Sequence, residues 1–68
     1  MVRKLIGHKL KTTRLKRDLT IQQLAAASKV SANMISRIER GLTTPSVEIL
    51  MKLANTFGLS MSYFIEEA

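Results

Sequence analysis

Thr20 to Gly41 reads TIQQLAAASKVSANMISRIERG, and its punctuation decides the fold. Thr20, with Gln23 three residues on, makes a capping box that opens a short helix over about 21–28. Leu24 and Ala25 point inward there, and the small Ala25 lets another helix cross closely. Lys29-Val30 forms a turn. Ser31 then caps a second helix over about 32–40. At about 100° per residue, Ile35 and Ile38 define its buried side. Asn33, Ser36, Arg37 and Arg40 fall opposite, with Ala32 at the edge. Gly41 sits where a helix C-terminus favours a left-handed residue. Two short helices, a tight turn and a polar stripe on the second are what a protein needs to hold a helix in the major groove of DNA.

Outward from this stretch the helical pattern continues. Residues 3–17 hold no proline and a single glycine, Gly7. Ile6, Leu10 and Thr13 share one helical face with Arg14 at its margin, while Leu5 and Leu15 lie off it. Asp18-Leu19 breaks this first helix. Beyond Gly41, Leu42 to Pro45 is a loop, and Ser46 caps a fourth helix running from Val47 to Phe57. Leu50, Leu53, Ala54 and Phe57 recur along it at helical spacing, and Gly58 ends it. Ser60 is placed to cap a short fifth helix holding Tyr63, Phe64 and Ile65. The expected fold is all-α: a compact bundle of about five short helices in one domain spanning residues 1–68. No internal repeat, linker or low-complexity segment interrupts it.

Composition narrows the partners. Eleven Lys and Arg face five Asp and Glu in 68 residues, a net charge of +6. Arg3, Lys4, Lys9, Lys11, Arg14, Lys16 and Arg17 all precede the first acid, Asp18, and the chain ends at Glu66 and Glu67. A basic domain concentrates polyanions at its surface, of which nucleic acid is the usual one, although a basic surface also serves solubility alone. There is no cysteine, so neither a disulfide nor a zinc-thiolate site braces the domain, and the core must be apolar and helical. No apolar run approaches the roughly 18 residues of a membrane span. The basic, acid-free N-terminus has the character of a mitochondrial presequence, but it reads better as the first helix of a domain with no residues to spare.

Catalytic constellations are missing from the sequence. His8 is the single histidine, on a basic helix without an acidic neighbour, and reads as a surface or boundary residue. No metal-ligand spacing, phosphate loop or nucleophile elbow occurs. Glu66-Glu67 reads as a solvated end, and Met34, Met51 and Met61 as packing residues. Neither an enzyme, a cofactor nor a small-molecule ligand is expected.

The helix-turn-helix pattern resembles the phage Cro/repressor-like, or XRE, family. The resemblance runs from about Ile6 to Ile65. It is carried by Leu19-Thr20, Leu24-Ala25, Val30-Ser31, the run Ile35-Ser36-Arg37-Ile38-Glu39-Arg40-Gly41, Pro45-Ser46, Leu50, Leu53-Ala54 and Leu59-Ser60. It implies a lambda-repressor-like domain whose third helix reads the major groove, with the second across the backbone and often a dimer on an inverted repeat. Matched by position, it implies base reading by Ser31, Ala32, Asn33, Ser36 and Arg37. Phosphate contacts are implied at Thr20, Arg40, Thr43 and Thr44, and a bridge between the first and third helices at Arg14 and Glu39. Two positions depart from the family. Ile21 stands where members commonly carry Gln, which removes a side-chain phosphate contact that Gln22 can replace. Lys29 stands where members commonly carry Gly, at a position often needing positive φ; there the turn is either reshaped or strained by about 1 kcal/mol.

Chemistry assigns roles to these positions. Arg37 can pair in bidentate fashion with guanine O6 and N7, and Asn33 with adenine N6 and N7, each giving about 1–3 kcal/mol of discrimination. Ala32 suits a thymine methyl. The amides around Ile21 and Gln22 suit a phosphate at a helix N-terminus. Phe57, Leu59, Tyr63, Phe64 and Ile65 form an apolar cluster too dense for a small domain to bury whole, so a homodimer contact is expected there, with a core-only role as the alternative. The leading reading is a cytoplasmic, bacterial or phage-encoded regulator that binds double-stranded DNA. The rival is a protein-interaction module such as an antitoxin. The chain reads as a stand-alone regulator rather than the excised DNA-binding domain of a larger ligand-responsive one.

Overall fold

The computed structural model describes residues 2–66, with side chains from residue 5 onward. Glu67 and the side chains of Arg3 and Lys4 lie outside the described residues. Among the described residues five helices follow one another: α1 Val2–Lys16, α2 Ile21–Ser28, α3 Ala32–Glu39, α4 Val47–Phe57 and α5 Met61–Ile65.

Side-chain caps open three of them. The Thr20 hydroxyl accepts from the Gln23 amide at 3.0 Å, and Gln23 Oε1 accepts in return from the Thr20 amide at 2.8 Å. Ser31 Oγ accepts from Met34 N at 3.0 Å and Ser46 Oγ from Ile49 N at 3.2 Å. Each such cap stabilises its helix by about 1 kcal/mol. Ser60 precedes α5 without capping it. The Tyr63 amide donates to the Ser60 carbonyl instead, and the Ser60 hydroxyl lies 2.9 Å from that of Ser62.

The helix ends share one device. Asp18, Gly41 and Gly58 all have left-handed backbone, at φ 56°, 72° and 71°. At each, the residue's own amide and the next one turn back onto the helix: Asp18 to Leu15 and Leu19 to Arg14, Gly41 to Ile38 and Leu42 to Arg37, Gly58 to Asn55 and Leu59 to Ala54. These paired bonds satisfy the last carbonyls and stop the helix. They also put Arg40 just outside α3, one residue short of the expected end, with its φ at −85° and ψ at 1°. Lys29 ends α2 at φ 63°, so the turn is not reshaped. A lysine bears left-handed strain there that glycine would not.

The core gathers Ile6 and Leu10 from α1, Leu24 from α2, Val30 from the turn and Ile35 and Ile38 from α3. Leu50, Leu53, Ala54 and Phe57 come from α4, and Phe64 from α5. Leu10, Leu24, Ile35, Ile38, Leu53 and Phe64 are fully enclosed, each stabilising the fold by about 1.5–3 kcal/mol. Gly7 decides how α1 and α3 meet. A Cβ there would overlap the carbonyl oxygen of Ile38 and lie 3.0 Å from that of Glu39, so the two backbones approach only because residue 7 has no side chain. Met51 is a correction: it is exposed on the outer face of α4, whereas Met34 and Met61 pack against the core as expected.

Candidate nucleic-acid interface

The α3 helix has two sides. Ile35 and Ile38 are buried; Asn33, Arg37 and Arg40 are exposed, and Ala32 and Ser36 are half-exposed at the margins of the same open side. Ser31, the cap, is exposed at the leading end. Among the described residues, the Asn33 amide and the Arg37 guanidinium take part in no hydrogen bond or ion pair. Their donors and acceptors are free for a base edge, and their i, i+4 spacing puts both on one stripe. Arg40 Nε donates to the Ser36 carbonyl at 3.3 Å, leaving the rest of the guanidinium in solvent.

The start of α2 presents a second set of donors. Four amides at a helix N-terminus lack intrahelical partners. The capping box uses those of Thr20 and Gln23. The amides of Ile21 and Gln22 remain, and both point along the positive end of the helix dipole. The Thr20 hydroxyl accepts from Gln23 and still has its own proton to donate. Thr43 is half-exposed and Thr44 exposed on the segment after α3, anchored by the buried Pro45.

Arg14 and Glu39 hold this surface to α1. Arg14 Nε donates to Glu39 Oε2 at 2.7 Å and Nη2 to Oε1 at 3.0 Å, a bidentate pair whose side chains are 9% and 5% exposed. Arg14 Nη1 also donates to the Leu19 carbonyl at 2.7 Å. Hydrogen bonding to Glu39 holds the Arg14 guanidinium above its ordinary pKa; desolvation opposes this and the Glu39 charge assists it. Together with the close approach at Gly7, this pair fixes the orientation of α3 before any ligand arrives.

The C-terminal cluster divides in two. Phe57 and Phe64 are 4% and 0% exposed and belong to the core, which corrects the expectation that they form a dimer contact: neither has surface to offer. Their rings lie 6.3 Å apart, and Tyr63 meets Phe64 edge-on at 5.2 Å. Leu59 is half-buried against the core, and Tyr63 and Ile65 remain 40% and 46% exposed. Two α1 and post-α1 cations, missed in the sequence, close this end. Lys9 Nζ donates to the carbonyls of Tyr63 and Glu66 and sits 5.2 Å from the Tyr63 ring centre. Arg17 Nη2 donates to the Phe57 carbonyl at 3.0 Å and lies over its ring. Leu42, Val47 and Met51 add exposed apolar surface that periodicity did not single out.

A capped α2, a tight turn and an α3 with one buried and one free polar face define a helix-turn-helix domain. The chain belongs to the helix-turn-helix family of Cro/repressor-like type, whose profile matches residues 10–64. It is 36% identical over 58 residues to the HTH-type transcriptional regulator DdrOP3 of Deinococcus deserti, covering 85% of this chain and 45% of that protein. It is 29% identical to the transcriptional regulator ClgR of Mycobacterium tuberculosis, over 100% of this chain and 61% of that protein. The crystal structure of the clp gene regulator ClgR from Corynebacterium glutamicum superposes with a TM-score of 0.86 at 31% identity, covering 94% of this chain and 68% of the other. The chain thus spans about half the length of the curated relatives it matches.

Proposed function

We propose that this chain is a sequence-specific DNA-binding transcriptional regulator that occupies an inverted-repeat operator as a dimer. The observation that carries this reading is the uncommitted polar face of α3 beside a rigid anchor. Among the described residues the side chains of Asn33 and Arg37 have no hydrogen-bond or ion-pair partner, while Arg14, Glu39 and Gly7 hold the helix in place. Arg37 reads guanine and Asn33 adenine; Ala32 meets a thymine methyl, and Ser31 and Ser36 allow close approach. The amides of Ile21 and Gln22, the Thr20 hydroxyl, Arg40, Thr43 and Thr44 hold phosphates on either side and set the register. Leu59, Tyr63 and Ile65 are the part of the C-terminal cluster that retains surface for a second copy.

Selection of binding sites from a random duplex library, at about 150 mM salt to suppress non-specific binding, tests the reading. An enriched inverted repeat with half-sites about one helical turn apart is the expected result. Weak, salt-sensitive binding with no enriched sequence would end it. A second reading rests on the exposed Leu42, Val47, Met51, Tyr63 and Ile65, which suit a protein-interaction module. Arg37→Ala separates the two, because only a DNA reader loses sequence preference while keeping its fold.

A further inference from the structure

We infer that the groove between α1 and the end of α3 receives one phosphate of the DNA backbone, with Lys11 and His8 supplying contacts from α1. This rests on the DNA-binding reading above. The groove has a volume of about 340 Å³ and is lined by His8, Lys11, Glu39, Arg40 and Gly41. His8 and Lys11 are three residues apart and therefore share a face of α1. The absent side chain at Gly7 lets that face stand directly against the carbonyls that end α3.

The lining groups are available for an anion. Both oxygens of Glu39, the one acid there, are taken by Arg14, whose charge offsets it. The carbonyls of Arg37 and Ile38 are closed by the amides of Leu42 and Gly41. Among the described residues, neither Lys11 nor His8 makes a hydrogen bond or ion pair, whereas Lys9, Arg14 and Arg17 are all committed within the fold. The negative end of the α3 dipole opposes an anion here with roughly half an elementary charge. The full charges of Lys11 and Arg40 outweigh it. Position favours a backbone phosphate over a free one. Arg40 ends the stripe that begins at Asn33, and a helix filling a major groove about 12 Å wide brings its end beside the flanking strand.

Lys11→Gln tests this by the salt dependence of binding to a fixed duplex of about two helical turns. Removing one phosphate contact lowers the slope of log K against log salt by about 0.9, and weakens binding five- to tenfold at about 100 mM salt. The loss is equal on an enriched site and a scrambled one, because a phosphate contact carries no sequence information. Lys16→Gln, on a different face of α1, removes the same charge and leaves the slope unchanged. Adding His8→Gln to Lys11→Gln weakens binding further, and circular dichroism stays native throughout. An unchanged slope for Lys11→Gln, or equal loss for Lys16→Gln, overturns the inference while leaving the DNA-binding reading intact. Absence of duplex binding by the native chain overturns both.

Discussion

Asn33 and Arg37 on α3 stand in solvent without a partner in the described chain, whereas Phe64 on α5 has no exposed surface. The two helices are both short, yet one offers its polar side chains outward and the other is fastened inward. α3 is held from behind by the Arg14–Glu39 pair. α5 is held by its own aromatic ring and by Lys9 on its terminal carbonyls. A surface that must meet a partner in a defined orientation needs a rigid support and free functional groups, and α3 has both. At α5 the central ring is used inside the fold, and Tyr63 and Ile65 are its large apolar side chains that stay exposed.

The largest expected effect lies on the inward side. Phe64→Ala removes a fully enclosed ring and lowers unfolding free energy by about 3–5 kcal/mol, measured by urea titration. A loss below about 1 kcal/mol would mean that α5 is not part of the core and would dissolve the contrast with α3. Glu39→Ala comes next. It leaves the Arg14 guanidinium poorly exposed and unpaired, with an expected loss of about 3 kcal/mol in the same titration. Arg37→Ala then sharpens the comparison from the outward side. Stability stays within about 0.5 kcal/mol, because the side chain is exposed and makes no hydrogen bond or ion pair among the described residues. Discrimination between the selected site and one with its guanine replaced falls by about 1–3 kcal/mol in competition binding. The smallest effect is Lys29→Gly, which relieves left-handed strain and raises stability by about 1 kcal/mol. Calorimetry should show that gain as a Tm rise of about 4–8 °C.

The family departure at Lys29 shows how local chemistry and context divide the work. A lysine has no preference for positive φ, yet the position keeps it, since the Lys29 amide must reach the Ala25 carbonyl while Val30 enters the core. At Asp18 the same conformation arose without any glycine to announce it. Asp18-Leu19 was legible as a helix break but not as a left-handed closure matching those at Gly41 and Gly58.

The amino-acid sequence by itself determined what depends on near neighbours. The caps at Thr20, Ser31 and Ser46, the stops at Gly41 and Gly58 and the inward positions of Ile35, Ile38, Leu50 and Leu53 follow from hydrogen bonds and spacing within a few residues. The polar stripe of α3 was legible for the same reason, because two turns of helix suffice to separate its faces. Tertiary structure alone decided the rest. A single turn of helix carries too little periodicity to show that Phe64 goes inward and Tyr63 outward. Gly7 allows a close approach that only the crossing of α3 reveals, and Lys9 and Arg17 read as surface charge until α5 and the end of α4 brought carbonyls to them. Contacts between residues so far apart in the chain depend on how helices pack, and packing is set by the whole core at once rather than by any local run of residues.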